Sequence, residues 1–373
     1  SIMTKITNFE VIRVSLPFET GGPRKGMRPS LDAWLSMECI MVKIKTSDGL
    51  EGWGEAFGHA MAPGTEAVLN NIIGPMLLGK DARGIAKRID EIERPMHGLG
   101  RSGPIMYGLS AVDIALWDLA GKRAGMPVFR LLGGDSGILK KYASLMRYGG
   151  DIDAVAANVT RAKQNGYSTI KLHESTIPAF RAARNAVEQE DNICLDVNCP
   201  WTVSEAKAIA EEILYDGFHW LEEPVWPPED FIGLAEVRAE GVPISAGENM
   251  TTLHEFKSAF EAEAVDNIQP SVTKCGGISG MKRIFTLAQA YSVRVVPHCF
   301  YWGPGYNATA HLAASRPEPT LLETAFIDLI VKPHDLFDAS ESSLDLSEKP
   351  GLGFEADWEA LSDYVISSHS ISD

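Results

Sequence analysis

The stretch NICLDVNCPWTVSEAKAIAEEILYDGFHWLEEP, residues 192 to 224, sets two short apolar runs on either side of a helical one. NICLDVN (192–198) and FHWLEEP (218–224) both begin apolar and finish in polar side chains, Asp196 and Asn198 in the first, Glu222 and Glu223 in the second. Between them Ser204 to Leu214 carries helical periodicity. A strand, a crossover helix and a second strand make a unit whose strands lie parallel. The unit repeats in both directions. Apolar runs recur at 141–146 (KYASLM), 168–173 (STIKLH), 242–249 (VPISAGEN), 265–271 (VDNIQPS), 293–300 (VRVVPHCF) and 320–326 (TLLETAF), with helical segments such as Asp153 to Gln164 and Gly277 to Tyr291 between them. Eight strands in about 200 residues predict an α/β fold built on a closed (β/α)8-type barrel.

The ends of these runs carry residues that a core would not choose: Lys171 and His173, Asp196 and Asn198, Glu222 and Glu223, Glu248 and Asn249, Ser271 and Lys274, His298, and Glu323. They recur near the period of the unit, with 26 residues from Asp196 to Glu222 and again to Glu248. A barrel gathers its C-terminal strand ends on one ring, so these side chains converge at its mouth, where barrel enzymes keep their chemistry. Three consecutive tips, Asp196, Glu222 and Glu248, are carboxylates that would repel one another at the spacing of neighbouring strands. A cation resolves that repulsion, and an all-oxygen donor set favours a hard divalent ion, Mg2+ before Mn2+ or Ca2+. Lys171 and His173 flank the triad on one side and His298 on the other, as candidate proton carriers. An ion holding a substrate carboxylate would stabilise the charge formed when the adjacent carbon loses its proton.

Composition sets the outer bounds. The 373 residues are 45% hydrophobic, enough for a large buried core, and the formal charge of -16 argues against nucleic acid or an anionic membrane as partner. No apolar run is long enough to span a bilayer and no secretory pattern opens the sequence, which predicts a cytoplasmic enzyme. The cysteines Cys39, Cys194, Cys199, Cys275 and Cys299 have no paired spacing and read as reduced thiols.

Ahead of the barrel the texture is α+β. Ile6 to Leu16, Met37 to Ile44 and Leu50 to Ala56 read as an antiparallel meander with a turn at Ser47-Asp48-Gly49. Helical periodicity follows over Thr65 to Leu77, Ala82 to Arg94 and Pro104 to Ala124, the last closed by Gly125. The loop 17–31 concentrates glycine, proline and three cations in an acidic protein, and reads either as solvated surface or as a lid whose Arg24, Lys25 or Arg28 meets an anionic substrate.

With SAVDIALWDLAGKRAGMPVFRLLGG (110–134), the K-x-H strand end, DVN, WLEEP, GEN, KCGG and PGLGFEADW (350–358) in this order, the chain resembles the enolase superfamily in its mandelate racemase and muconate lactonizing branch. The resemblance implies a capping domain over 1–137 with a lid loop at 17–31, a barrel carrying the active site over 138–345, and a segment, 346–373, that returns to the capping domain. It implies Asp196, Glu222 and Glu248 as Mg2+ ligands, Lys171 and His298 as catalytic residues, Lys274 beside the metal carboxylates, and Glu323 as the acid that holds the substrate carboxylate. Arg24 and Asn198 join Glu323 as candidate substrate-binding residues. The implied reaction is abstraction of the proton α to a carboxylate through an enediolate. Implied partners are a small carboxylic acid and further copies of the chain, as dimer or octamer.

Two positions depart from the family pattern. His173 stands where a second lysine is usual, and an imidazole takes a proton at neutral pH without the large depression that a lysine needs. Ser271 stands where the partner aspartate of His298 is usual, so His298 is expected to be a poorer base. A true two-base racemase is therefore disfavoured. Dehydration of a hydroxy acid or acid sugar comes first, then cycloisomerisation, then racemisation or epimerisation, with a non-catalytic acid-binding descendant as the rival from another class.

Overall fold

The structure, a computed structural model, describes residues 4–23 and 34–373. Arg24, Lys25 and Arg28 lie outside the described residues.

The N-terminal meander is present as β1 (Ile6–Glu19), β2 (Ser36–Thr46) and β3 (Glu51–Ala56), each antiparallel to the next. Helix Pro104–Ala124 packs flat on β3, because Gly52 and Gly54 offer no side chain: a Cβ on either would meet the carbonyl oxygen of Ala115 or Ala111 within 2.3 Å. Gly125, left-handed at φ 69°, ends that helix. The helix expected over Thr65 to Leu77 is broken by a π turn at Leu69–Ile73, and the next runs from Ile85 to Glu93.

Eight parallel strands follow: β4 (Ile138–Ser144), β5 (Thr169–Leu172), β6 (Asn192–Asp196), β7 (Trp220–Glu222), β8 (Ile244–Ala246), β9 (Asn267–Ile268), β10 (Arg294–Val295) and β11 (Leu322–Ala325). Each pairs with the next up to β10, and β11 pairs with β4, so the order curls back on itself. The seam between β10 and β11 is crossed by side chains: Thr320 Oγ1 donates to Val295 O at 3.0 Å, and Cys299 N donates to Glu323 Oε1 at 2.8 Å. Seven helices, Ile152–Gln164, Ile177–Asn185, Val203–Ile213, Phe231–Arg238, Leu253–Glu261, Gly277–Ala290 and Pro304–Ala314, fill the crossovers. Their starts are capped where the sequence allows. Thr202 accepts from Glu205 N, and Thr252 with Glu255 forms a reciprocal capping box.

After β11 the chain leaves the barrel in place of an eighth helix. β12 (Asp328–Leu329) and β14 (Val365–Ser372) pair antiparallel with β1, while β13 (Ser343–Asp345) pairs with the start of β4. Asp118 ties this return to the first sheet, with one oxygen accepting from Trp53 N and the other from Leu352 N, both at 2.8 Å. The glycine pair of KCGG serves the joint between the two parts. Gly276 and Gly277 are left-handed (φ 99° and 70°), and a Cβ on Gly277 would lie 2.4 Å from Asp113 Oδ1 on the Pro104–Ala124 helix. In its absence Ser110 Oγ accepts from Gly276 N and Asp113 from Ser279 N.

Candidate active site

Inside the barrel, alternate residues of each strand face the axis. Tyr142, Cys194, Trp220 and Val296 form a buried apolar floor, and two residues further along β6 and β7 the chain presents Asp196 and Glu222. This spacing raises the charged layer one storey above the floor. Strand pairing ceases at the tips, where Asn198, Cys199 and Glu223 all turn left-handed (φ 57°, 57° and 52°).

Asp196, Glu222 and Glu248 each offer an oxygen, and the three oxygens lie within 4.8 Å of one another. Asp196 and Glu222 are 2% and 1% exposed, so water screens them little. Burial and Glu248 push Asp196 up to about 7; burial and Asp196 push Glu222 well above the carboxylate range. Two fixed protein groups limit the repulsion. Trp220 Nε1 donates to Glu222 Oε1 at 3.0 Å, and Lys171 Nζ reaches both Glu222 oxygens at 3.2 and 3.0 Å. A trio of this kind, two of its members buried and the third half-buried, converging through oxygens alone, fits a hard divalent cation of the Mg2+ type.

Lys171 is fully buried and also touches Glu323 Oε2 at 2.7 Å and Asp196 Oδ2 at 3.7 Å. Burial works against its charge, yet Glu222 and Glu323 outweigh burial and hold it well above the ordinary lysine range. Glu323 gains correspondingly: burial raises it, but Lys171 and His298 bring it down to about 2. Lys171 is thus a fixed cation.

His173 points its Nδ1 at Leu145 O, 2.5 Å away. A carbonyl oxygen only accepts, so Nδ1 carries the hydrogen and the Nε2 lone pair faces the site, 3.2 Å from Asp196 Oδ2. Burial and the nearby Lys171 charge lower its pKa, which keeps the ring neutral at pH 7. Phe300 meets it edge to face at 5.5 Å.

Across the mouth His298 Nε2 lies 3.4 Å from Glu248 Oε2. Burial lowers its pKa, against the opposing pull of Glu248 and Glu323. Ser271 is paired to His298 through the backbone, but its hydroxyl is 3.0 Å from the hydroxyl of Tyr301, and His298 Nδ1 has no hydrogen-bond partner among the described residues. Lys274 donates to Glu248 O at 2.9 Å and sits over the Phe57 ring at 4.1 Å. With His298, Lys274 counters the upward push of burial on Glu248, whose pKa ends below the ordinary value.

Lys171, His173, Asp196, Glu222, Glu248, His298 and Glu323 therefore meet at one mouth, with Lys274 at its rim. Asn198 contributes its backbone, donating to Asp196 Oδ1 at 3.1 Å. Glu323, like Lys171, is fully buried, and it closes the β10–β11 seam. Sequence reasoning passed over Trp220, although its place two residues before Glu222 puts both on the same face. His59 is a further such residue, left-handed (φ 43°), following β3 and close enough to Lys274, His298 and Glu248 to feel their charges. A lone histidine after a strand gave no signal of that.

Residues 20–133 match the model for the N-terminal domain of the mandelate racemase / muconate lactonizing enzyme family, and residues 154–360 match the model for enolase C-terminal domain-like proteins. The chain is 30% identical to D-galactarolactone cycloisomerase of Agrobacterium fabrum, over 94% of this chain and 95% of that one. It is 29% identical to arabinonate dehydratase of Saccharolobus solfataricus, over 85% and 88%. Among solved structures it superposes on L-talarate/galactarate dehydratase from Salmonella typhimurium LT2, liganded with Mg and L-lyxarohydroxamate, with a TM-score of 0.85 at 26% identity, covering 99% of this chain and 95% of the other.

Proposed function

Since the chain belongs to the mandelate racemase / muconate lactonizing enzyme family of the enolase superfamily, we propose that it is a Mg2+-dependent enzyme that removes the proton α to the carboxylate of an acid sugar and expels the β-oxygen. The observation that carries this is the juxtaposition of the carboxylate triad with a fixed cation and a neutral imidazole on one side, and a second imidazole opposite. Asp196, Glu222 and Glu248 would hold the Mg2+, which would supply positive charge where the substrate carboxylate gains electron density. His173 Nε2 accepts the α-proton, since its other nitrogen is committed to Leu145 O. Lys171, kept charged by Glu222 and Glu323, stabilises the developing enediolate. His298 stands on the other face to protonate the departing oxygen. Glu323 acts on the substrate carboxylate through Lys171, and Asn198 and Arg24 complete substrate binding.

Dehydration is the first reading, and one observation favours a second. With Ser271 turned to Tyr301, only Glu248 and Glu323 oppose the burial that disfavours a charged His298, so little of it is protonated and ready to donate near pH 7. A β-oxygen tied into a ring leaves more readily than hydroxide, so ring-opening isomerisation suits the same site. Incubating the enzyme with Mg2+ and a panel of aldonic acids, aldaric acids and their lactones in D2O tests both. Apart from deuterium taken up from the solvent, dehydration removes one water from the product mass and isomerisation leaves it unchanged, and the α-proton is lost to solvent in either. If no acid exchanges its α-proton, the protein is a binder and the proposal fails. The proposal extends to a cytoplasmic homo-oligomer, dimer or octamer, supported by family membership and checked by light scattering. No helix among the described residues is long and apolar enough to cross a membrane.

A further inference from the structure

An imidazole base has a requirement that a lysine lacks: one ring nitrogen must be kept out of the reaction so that the other is presented unprotonated. At His173 that service comes from Leu145 O, the acceptor next in line after the last β4–β5 rung, in which Leu145 N donates to Lys171 O at 2.9 Å. Leu145 is the last residue that the β4–β5 ladder reaches, and past it no further rung holds the chain to β5. The turn that follows it, through Gly149 and Gly150 (φ 66° and 83°), uses conformations that are soft in the absence of an anchor.

The anchor is Glu174, the residue after the imidazole. It is 4% exposed, and its two carboxylate oxygens are divided between two backbone donors of that turn, Oε2 accepting from Tyr148 N at 2.6 Å and Oε1 from Gly150 N at 2.7 Å. Charge-assisted bonds of this length to buried amides are among the stronger ones available to a chain. The same turn is held from its other side by the Tyr148 hydroxyl, which donates to Thr20 O at 2.7 Å. The connection is therefore closed: His173 bonds Leu145, the turn from Leu145 leads to Tyr148 and Gly150, and both return to Glu174, covalently joined to His173.

We infer that Glu174 is a positioning residue for His173: by clamping the turn 145–150 it fixes Leu145 O, and through it the Nδ1–H tautomer that leaves Nε2 free to take the substrate proton. The inference rests on the proposed role of His173 but can fail separately from it. Glu174→Gln retains the shape and replaces one acceptor by an NH2 group that faces an N–H donor.

The test joins kinetics to the tautomer of His173, read from long-range proton–nitrogen correlations of the imidazole in the full-length protein. Wild type is expected to show Nδ1–H alone. In Glu174→Gln the Nε2–H form appears, kcat falls roughly tenfold to a hundredfold as for groups behind metal-bound imidazoles, and KM stays put. Glu174→Asp, which keeps the charge but loses reach to one donor, falls between, and serves the comparison if the amide variant does not fold. An Nε2–H tautomer in wild type overturns the inference, as does a variant whose His173 tautomer is unchanged, whatever its activity. Absence of α-proton exchange in wild type overturns the reaction assigned to His173 while the tautomer comparison still decides the role of Glu174.

Discussion

With its hydroxyl turned to Tyr301 at 3.0 Å, Ser271 leaves Nδ1 of His298 facing no anion, while its backbone remains paired with that of His298. A carboxylate introduced there would favour the charged imidazole. Ser271→Asp is therefore expected to raise the pKa of His298, followed by imidazole NMR, and to bring α-proton exchange from the second face of the substrate, seen as loss of stereospecific deuterium incorporation. Unchanged stereospecificity with a raised pKa would separate the two effects and leave His298 too far from the α-carbon. Lys171 is the opposite case, a residue whose loss strands charge. In Lys171→Met, Glu222 and Glu323 lose their shared cation inside the barrel, and breaking a buried pair costs about 3–5 kcal/mol. Urea unfolding of that variant should show the loss directly. Most of these groups were readable from the sequence, because a polar side chain at the end of an apolar run has few reasons to be there. What could not be read is which neighbour each one chooses. Ser271 stands at the place of a partner for His298, yet its hydroxyl binds Tyr301, thirty residues on in sequence but adjacent in the fold. The service of Leu145 to His173 is done by a backbone carbonyl, which leaves no trace in side-chain chemistry.

At the scale of elements, the alternation of apolar runs with amphipathic helices was enough to place eight strands, yet their lengths were overestimated. VPISAGEN forms a strand only at Ile244–Ala246, and VRVVPHCF only at Arg294–Val295. Near the tips the ladder is interrupted: Gly247 is left-handed at φ 146°, and Pro297 precedes His298 with no N–H to give, so that His298 keeps only an isolated pairing with Ser271. Periodicity reports burial, and a tip aimed into the mouth is as buried as a strand. The joint between capping helix and barrel was equally hidden, since the need for Gly277 comes from Asp113 on another element. Gly277→Ala tests it. A Cβ there would be 2.4 Å from Asp113 Oδ1 and 2.8 Å from Ser110 O at a φ of 70°, so the substitution should destabilise by more than the roughly 1 kcal/mol that it can gain at a relaxed position. Denaturant unfolding is expected to show that loss, and amide exchange at Gly276 and Ser279 to quicken, because their acceptors Ser110 and Asp113 must move away.

The whole molecule inherits a pH dependence from its mouth. Asp196 holds its proton up to about 7 against an ordinary value of 3.8, and Glu223, under burial and the charge of Glu248, up to about 8 against 4.5. Between those limits the folded, ion-free protein retains protons that the unfolded chain has released, so each upward step in pH favours unfolding. Glu323 and Glu248 are shifted the other way; their contribution is complete above the unfolded glutamate range and does not vary between pH 6 and 8. The depressed imidazoles of His173 and His298 act in the opposite sense, but only up to the ordinary histidine range near 6.5, so above it chelator-treated protein should melt at a lower temperature at pH 8 than at pH 7. Binding of Mg2+ replaces the missing protons, and the rise in melting temperature it causes should be larger at pH 8, where fewer have to be displaced. Asp196→Asn removes one of the repelling carboxylates, so its ion-free form is expected to be more stable than ion-free wild type at pH 8 and to respond little to Mg2+. Calorimetric melts of both proteins across this pH range, with and without the ion, measure all three expectations together. A wild type whose melting temperature ignored both pH and Mg2+ would show that the three carboxylates do not form a metal centre. The trade follows from placing the triad above an apolar floor: the same dry surroundings that make it repel itself when empty make it grip a divalent cation.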